Sequence, residues 1–456
     1  MTHPVVVVGG GITGLVAARR LHEARVDVTL VEASDRLGGK ILTTDFAGTR
    51  VEMGPDSFLG NDPMLLELCA DLRLADELIA PSGFGAQVWL DEGLRPLPMS
   101  TYFGIPLDIG AARRSQILSR AGALRARVGA FLPETRHATD VSVGHVVKRR
   151  FGRQVLERMV DPILAGTRAG DPYEVSTRAA LPEAWSALEK GRRLTKALRG
   201  GRRSGGARGA PPFYGLQGGM QRLVDALSSA LPRFTTRTHV AAHAVRQQGD
   251  DYVVETSVGD VEASGVVVTT PARMAAVVLA PLSEEAAGSI RRLEAADVAI
   301  ATFSYEGPLQ LPKGSGLLVP SARRRTLTGA TWYSSKWPHA APADTTIVRC
   351  FAGRAAADAL PDDHDELMDL LHADLSEALG GLPEPTGRQG IRWSGGLPIY
   401  RVGHLGTVEA IERSLAIHPR VRVAGAWLRG SGLPDCVRQA TAAAGAVAAE
   451  VVTQAR

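Results

Sequence analysis

The hydrophobic positions change their spacing near the start of the chain. Four consecutive valines, Val5–Val8, are typical of a buried strand, and Leu15, Ala18 and Leu21 then recur at helical spacing. A second apolar run, Val28–Val31, follows this helical segment. The pattern predicts a strand–helix–strand unit at the N-terminal end.

Later segments alternate between the helical and the strand period. From about 108 to 205 the apolar spacing is helical, strand-like runs follow within 235–270 and 297–353, and an alanine-rich helical segment covers 437–452. The stretch at 199–209, RGGRRSGGARG, has little to bury, so we expect a mobile surface loop there. It lacks the interleaved aromatic residues of a nucleic-acid-binding tract, and we expect no nucleic-acid partner.

The order of these segments predicts an α/β protein, α+β overall, and 456 residues accommodate two or three domains. We expect a discontinuous domain, built on the N-terminal strand–helix–strand unit and formed by 1–85, 210–275 and 390–456. A helical domain should cover 86–205, and a domain with an antiparallel sheet should cover 276–390.

Charge is distributed unevenly along the chain. The formal net charge is only +4, yet residues 111–210 hold 21 Lys and Arg against 8 Asp and Glu. Two interpretations stay open: a face that meets an anionic membrane or a partner, such as the next enzyme of a pathway, and an ordinary solvated surface. Nothing in the sequence predicts the oligomeric state.

The three cysteines, Cys69, Cys350 and Cys436, are too widely spaced for a metal motif or a disulfide framework. The first apolar residues belong to the predicted strand, so we expect no signal peptide. No apolar run reaches the roughly 18 residues that cross a bilayer. We therefore expect a cytoplasmic protein, with peripheral membrane contact as an open alternative.

Glycines stand between the first strand and its helix, in the order Gly9-Gly10-Gly11-Ile12-Thr13-Gly14. Gly9 allows a tight turn, Gly11 lets the backbone approach a pyrophosphate, and Gly14 lets the helix pack close to the strand. Glu32 ends the second strand, where a carboxylate can accept hydrogen bonds from a ribose. This unit predicts a dinucleotide site at the helix N-terminus.

Residues 32–40, EASDRLGGK, add an arginine and paired glycines directly after the acid. Together with the glycine turn they resemble the FAD-binding signature of the amine oxidase and protoporphyrinogen oxidase superfamily. Five later motifs resemble the FAD-dependent protoporphyrinogen and coproporphyrinogen III oxidases of haem synthesis. They lie at 52–58, 164–172, 213–227, 393–404 and 430–436.

The resemblance implies a Rossmann-type FAD domain, an antiparallel substrate domain and a helical domain. The sequences at 52–58 and 430–436 are similar to those of the Gram-positive type of enzyme, which oxidises coproporphyrinogen III to coproporphyrin III. That reaction removes six electrons, with O2 as acceptor and three H2O2 as product. Protoporphyrinogen IX oxidation is the alternative within the same family.

Carried over residue by residue, the resemblance implies non-covalent FAD. Val240 should lie on the adenine side, and Trp393 and the 431–433 turn should lie near the flavin ring. Cys436 stands in a P-D-C context, and we expect a buried free thiol there rather than a covalent flavin link. The implied contacts are Gly9, Gly11, Ile12, Thr13, Gly14, Glu32, Ala33, Arg36, Gly39, Lys40, Gly54, Pro55, Asp56, Ser57, Val240, Trp393, Ser431, Gly432 and Leu433.

Arg168 departs from the family pattern, which usually has an aromatic residue in this loop facing the substrate. An arginine there would bind a carboxylate bidentately. Coproporphyrinogen III has four propionates and protoporphyrinogen IX has two, so the exchange favours the more anionic substrate. Placement of Arg168 on the surface is the open alternative.

The sequence shows no nucleophile–base constellation, no metal-ligand cluster and no Ser-His-Asp order, so the predicted chemistry is that of the flavin. For Tyr400 and His404 we expect structural hydrogen bonds. Two alternatives from other classes remain: a flavin amine oxidase or carotenoid desaturase-like enzyme, and a non-catalytic FAD- or porphyrin-binding carrier. The motifs at 213–227 and 430–436 argue against the former.

Overall fold

The computed structural model describes residues 3–60, 62–131, 136–204, 211–232, 235–354 and 359–454. Its nucleotide-binding part is built on a parallel sheet whose central strand, Val5–Val8, is buried along its whole length. A continuous apolar run is expected where helices or other layers cover both faces of a sheet. In spatial order the five strands are Thr236–Arg237, Val28–Val31, Val5–Val8, Gly265–Val268 and Val421–Val423.

Different layers cover the two faces of this sheet. Val5 and Val7 belong to a core that includes residues of helices Ile12–Glu23 and Leu433–Gln454, whereas Val6 and Val8 belong to a second core. That second core includes residues of the antiparallel strands Ala242–Gln248, Asp251–Thr256 and Gly259–Ala263 and of helices Ala272–Leu279, Glu284–Arg291 and His404–Leu415.

A seven-stranded mixed sheet forms the second part of the molecule. Helix His364–Leu379 contributes Leu367, Leu371 and Leu375 to its core. Neighbouring strands are antiparallel except Gln87–Leu90 and Gly316–Leu318, which run parallel. The spatial order is Gly387–Ile399, Glu294–Glu306, Thr345–Ala352, Leu327–Trp332, Gly316–Leu318, Gln87–Leu90 and Gly93–Pro96.

Helices dominate the third part, the helical lobe, which has its own core of alanine, valine and leucine side chains. A π-helical turn, Leu156–Val160, leads directly into the helix that ends at Arg168. The helices are Ile109–Arg114, Arg120–Phe131, Val143–Phe151, Arg153–Val155, Asp161–Arg168, Thr177–Ala180, Pro182–Glu189 and Leu194–Ser204.

Shorter elements connect these parts. The strands are Thr43–Phe46, Thr49–Glu52, Phe58–Leu59, Leu78–Ile79, Thr101–Tyr102, Ile105–Pro106 and Phe213–Leu216. The remaining α-helices are Pro63–Asp71, Gln221–Ser229 and Tyr333–Lys336, and 3-10 turns lie at Ala75–Glu77, Ser321–Arg323 and Pro338–Ala340.

The predicted fold class is confirmed, but some elements lie elsewhere than their sequence position suggested. Strands Gln87–Leu90 and Gly93–Pro96, expected in the helical domain, join the seven-stranded sheet. Most of strand Gly387–Ile399 was expected beside the nucleotide, yet it pairs with Glu294–Glu306. Both cases depend on long-range strand pairing, which local periodicity does not report.

Two segments near predicted boundaries also differ. Helix Ala272–Leu279, half of which was expected in the sheet domain, packs into the core of the nucleotide sheet. The loop expected at 199–209 is helical up to Ser204, since Leu194 and Leu198 are buried and Arg199 donates to the carbonyl of Leu107. Residues 205–210 lie outside the described residues.

Candidate active site

The glycine turn after the first strand gives each of its three key glycines a different environment. Gly9 has a φ of +107°, which the turn requires. A Cβ on Gly14 would lie 1.8 Å from the carbonyl oxygen of Gly9, so the helix can approach the strand only with glycine there. A Cβ on Gly11 would meet nothing within 4 Å, and the open side of Gly11 at the helix N-terminus fits a pyrophosphate.

Glu32 lies where a ribose is expected. One carboxylate oxygen accepts from the Gly10 N–H at 2.6 Å, and the other accepts from the N–H and the hydroxyl of Ser34 at 2.8 Å each. A carboxylate has about four lone-pair sites, so one remains for a ribose hydroxyl. The Val240 N–H donates to the Glu32 carbonyl at 2.9 Å, which places Val240 and the exposed Ala33 at the same end of the sheet.

The 36–40 segment runs alongside the glycine turn, since the Gly38 N–H donates to the Gly10 carbonyl at 2.8 Å. The Arg36 guanidinium donates to the carbonyls of Gly39 at 2.6 Å and Ile41 at 3.2 Å, so it holds this loop in place. Lys40 Nζ donates to the Gly396 carbonyl at 2.7 Å, and burial lowers its pKa.

The 54–57 segment joins the nucleotide part to the seven-stranded sheet. A side chain on Gly54 would collide with the Lys40 carbonyl, because a Cβ would lie 1.8 Å from its oxygen. The Asp56 carboxylate pairs with Lys336 at 2.8 Å and Arg349 at 3.3 Å and accepts from the Ser57 hydroxyl at 2.9 Å. Burial opposes its ionisation, but the two cations outweigh burial and hold the pKa of Asp56 below its ordinary value.

The Asp56 side chain is therefore engaged with the seven-stranded sheet. A cofactor contact at 54–57 would fall on the half-buried backbone and on Pro55, with Ser57 held against Asp56.

Two structural elements meet at the expected flavin end. The Trp393 indole donates to the Met53 carbonyl at 2.7 Å, and the Arg36 guanidinium lies 5.9 Å from its ring. The 431–433 turn opens helix Leu433–Gln454, which packs along helix Ile12–Glu23. Ile12 and Thr13 stand at the start of that first helix, so two helix N-termini come together here.

Cys436 lies on the first turn of this last helix and is buried. Burial raises the pKa of its thiol to about 11, although a hydrogen bond with Thr13 acts in the opposite direction. The expectation of a buried free thiol is confirmed. A thiol with a raised pKa is a poor nucleophile, which favours non-covalent FAD.

Arg168 lies against the 431–433 turn. Its guanidinium donates to the Ser431 hydroxyl at 3.0 Å and lies 5.9 Å from the Phe103 ring and 5.7 Å from the Tyr400 ring. Its buried Nε has no hydrogen-bond partner among the described residues. The surface alternative does not match this partly buried position.

Tyr400 and His404 make the structural hydrogen bonds that were expected. The Tyr400 hydroxyl donates to the Ala426 carbonyl and accepts from the Gly430 N–H at 3.0 Å. His404 Nε2 lies 2.7 Å from the Leu428 carbonyl oxygen, and burial lowers the pKa of this imidazole. Both side chains support the segment 426–430, which precedes the 431–433 turn.

Glu52 is a site residue that the sequence analysis did not single out. Its buried carboxylate accepts from the Thr43 hydroxyl at 2.9 Å and from the Met220 N–H at 2.7 Å, just before helix Gln221–Ser229. Burial raises its pKa to about 7. These bonds connect the motifs at 52–58 and 213–227. The presence of both motifs in the sequence was the signal that could have indicated Glu52.

Thr269 was also missed. Its hydroxyl lies 2.9 Å from the carbonyl oxygens of both Val8 and Gly9, so it fixes the glycine turn from the neighbouring strand. No local pattern marks this threonine, because its partners are distant in the sequence.

Within the described ranges, no group of three or more His, Cys, Asp and Glu side chains is placed to hold a metal ion. Among the helices of these ranges, none is both long and apolar enough to cross a membrane.

Comparison with known proteins agrees with this geometry. The model of the family described as flavin containing amine oxidoreductase matches residues 12–448. A coproporphyrinogen III oxidase of Bacillus subtilis is 31% identical over 455 residues, covering 96% of each chain. One of Mycobacterium bovis is 33% identical over 441 residues, covering 94% of each chain.

A crystal structure from Exiguobacterium sp. 255-15, provisionally named a protoporphyrinogen oxidase, superimposes with a TM-score of 0.88 at 29% identity and covers 99% of both chains. These matches confirm the predicted family and its FAD chemistry. The chain therefore belongs to the flavin-containing amine oxidoreductases and groups there with the coproporphyrinogen III oxidases.

Proposed function

We propose that this protein oxidises coproporphyrinogen III to coproporphyrin III with O2 as electron acceptor, as a cytoplasmic step of haem synthesis. The names of its relatives support the reaction. The main structural support for the substrate is the contact between Arg168 and Ser431, which puts a cation beside the expected flavin turn. A propionate near the flavin would meet a guanidinium that has a free Nε.

The residues of the site bind and orient; they do not form a catalytic acid–base pair. FAD, when bound, supplies the two-electron oxidation. The protein must supply a cavity that fits the substrate, exclude water from it and bind the substrate carboxylates. Glu32 and the open side of Gly11 would hold its ribose and pyrophosphate. Tyr400 and His404 are engaged with backbone carbonyls, so they position the turn and do not transfer protons.

An anaerobic reduction of the purified yellow protein tests the proposal. Coproporphyrinogen III should bleach the flavin absorbance rapidly, and protoporphyrinogen IX should do so less efficiently. A carrier would bind porphyrin without bleaching, and an amine oxidase would respond to amines instead. Faster reduction by protoporphyrinogen IX would reverse the substrate assignment.

We also propose that the helical lobe makes a peripheral contact with an anionic surface. On helix Arg120–Phe131, the side chains of Leu124, Val128 and Phe131 are 65%, 52% and 70% exposed. Their spacing puts them on one face, and Arg120 and Arg127 are exposed beside them. A helix with an apolar stripe and basic flanks is typical of interfacial binding.

A further inference from the structure

A cavity of about 580 Å³ lies where the helical lobe meets the seven-stranded sheet. The turn at 321–326 and the loop at 170–173 form two of its walls, and Thr328 and Gly353 lie at the ends of sheet strands. Small-molecule sites usually enclose about 300–1,000 Å³, so the volume suits a ligand.

The cavity adjoins the flavin end of the candidate active site. Gly170 in its wall follows Arg168 by two positions, and Arg168 contacts Ser431. On the sheet side, a Cβ on Gly353 would lie 2.8 Å from the Cα of Val298, whose strand partner is Trp393. Two wall residues, Gly170 and Gly353, are therefore linked through Arg168 and Val298 to Ser431 and Trp393, which are expected near the flavin ring.

Three consecutive arginines stand on the 321–326 turn, and their pairing differs. Arg323 pairs with Asp91 at 2.6 Å, and Arg325 pairs with Asp374 and Glu377. Arg324, with a φ of +49°, is exposed at the cavity and has no carboxylate partner among the described residues. The left-handed turn thus separates its side chain from the carboxylates that bind its neighbours.

Arg354 is a second cation of this cavity that has no salt-bridge carboxylate among the described residues. Its guanidinium donates to the Val319 carbonyl, and its buried Nε has no hydrogen-bond acceptor there. Burial lowers its pKa, although the charge of Asp161 acts in the opposite direction. A partly buried guanidinium with a free N–H is ready to bind an anion.

The acidic side chains of the same cavity are already engaged. Asp161 accepts from the Ser321 N–H at 2.7 Å and its hydroxyl at 2.6 Å, which fixes the arginine turn against the helical lobe. Glu157 pairs with Arg153, and Asp171 accepts from the Tyr173 N–H at 2.8 Å. The unpaired positive groups face the cavity from the sheet side.

We propose that Arg324 and Arg354 bind two propionates of the tetrapyrrole and so determine specificity for a polycarboxylate substrate. This inference rests on the proposed function and extends the same site beyond Arg168. Two separate guanidinium groups suit a ligand that carries carboxylates at several positions of its periphery. The paired Arg323 and Arg325 keep the turn in place and take no part in binding.

The test compares Arg324→Gln, Arg354→Gln and the double variant with the wild-type holoenzyme. Binding of coproporphyrin III, followed by its fluorescence, gives a Kd without any turnover, and steady-state oxidation with O2 gives KM and kcat for coproporphyrinogen III. We expect each single variant to raise Kd and KM about tenfold or more, as for loss of a charged hydrogen bond, and to leave kcat and flavin content unchanged. Coproporphyrin tetramethyl ester, which has no carboxylates, should bind all variants equally.

Arg273→Gln, at an exposed arginine of helix Ala272–Leu279, is the matched control and should behave as wild type. Arg354→Lys should recover part of the affinity if charge is what matters, and it distinguishes a binding loss from a folding loss. Wild-type Kd and KM in both Gln variants would overturn the inference. If no porphyrinogen reduces the wild-type flavin, the proposed function fails, whereas the coproporphyrin titration still decides the role of the two arginines: unaltered binding or none refutes it.

Discussion

Arg168 and Ser431 are 263 positions apart in the sequence, yet the guanidinium donates to the hydroxyl at 3.0 Å. The contact joins the end of a lobe helix to the turn that opens the last helix. If FAD binds as proposed, with this turn beside the flavin ring, the contact brings a residue of the helical lobe to the proposed substrate face. Arg168 also lies between the Phe103 and Tyr400 rings, which restrict its movement.

Replacing Arg168 by Ala should raise KM for coproporphyrinogen III. Loss of a charge-assisted hydrogen bond is worth about 1.5–3 kcal/mol, or roughly 10- to 150-fold. Protoporphyrinogen IX should be affected less if the propionate involved is one that it lacks. Steady-state kinetics with both substrates measures this, with Arg178→Ala at an exposed arginine as control. Equal losses would mean that Arg168 binds a propionate common to both substrates.

Substitutions at Gly11 and Gly14 should have different effects, the first on FAD binding and the second on stability. A Cβ on Gly11 points into open space, so Gly11→Val should fold normally and lose FAD, because the side chain blocks the pyrophosphate. Gly14→Ala should instead destabilise the fold, since its Cβ would lie 1.8 Å from the Gly9 carbonyl oxygen. Flavin absorbance and thermal unfolding separate the two effects. Normal flavin content in Gly11→Val is the result that contradicts the motif assignment.

Asp56→Asn should reduce the free energy of unfolding by about 3–5 kcal/mol, because it leaves the buried charges of Lys336 and Arg349 without their carboxylate. The control is Asp91→Asn: its carboxylate is 90% exposed in its pair with Arg323, and the change should stay within about 1 kcal/mol. Urea unfolding measures both. Similar losses for the two variants would contradict a special role for the buried pair.

The sign of the pH effect at Asp56 follows from its lowered pKa. Its contribution is present above the ordinary pKa of a free aspartate, about 3.9, and is lost as the pH falls below that value. The difference between wild type and Asp56→Asn should therefore be constant near neutral pH and shrink only in acid.

The contribution of Glu52 to stability should have the opposite pH dependence to that of Asp56. Its pKa is raised to about 7, so the folded state holds a proton that the unfolded state releases at a lower pH. Its favourable contribution is full below about pH 4.5 and is lost as the pH rises through 7, by roughly 3 kcal/mol at most. Glu52→Gln should flatten this part of the profile of unfolding temperature against pH. Glu285→Gln, at an exposed position, should not.

The nucleotide unit was predictable because its information is local. Strand, glycines, helix and acid follow one another within residues 5–32, and the structure brings them together in that order. Asp56 was named only through resemblance, and its actual partners, Lys336 and Arg349, are 280 and 293 positions away in the sequence. Glu52 likewise meets Met220 across 168 positions. Such pairs depend on how distant strands assemble. Neither the hydrophobic periodicity nor the sequence of a motif specifies that assembly.

The helical lobe gives the last prediction, which concerns the basic charge of 111–210. Helix Arg120–Phe131 exposes Leu124, Val128 and Phe131 where most helices expose polar side chains. An anionic bilayer would bury this stripe and attract the neighbouring arginines, each worth about 1 kcal/mol near the surface. Membrane binding should need both the apolar stripe and the arginines, so the protein should bind neutral vesicles weakly.

Sedimentation with phosphatidylserine-containing vesicles at low and high salt tests this contact. We expect binding at 0.01 M salt and its loss at 1 M, because the Debye length falls from about 30 Å to about 3 Å. Leu124→Ser with Phe131→Ser should weaken binding even at low salt, whereas Ile417→Ser, at a side chain 78% exposed elsewhere, should not. The serine variants remove the apolar stripe, whereas high salt screens the charges. The two results therefore measure the two contributions separately. Absence of sedimentation at low salt would leave the basic lobe as a solvated surface.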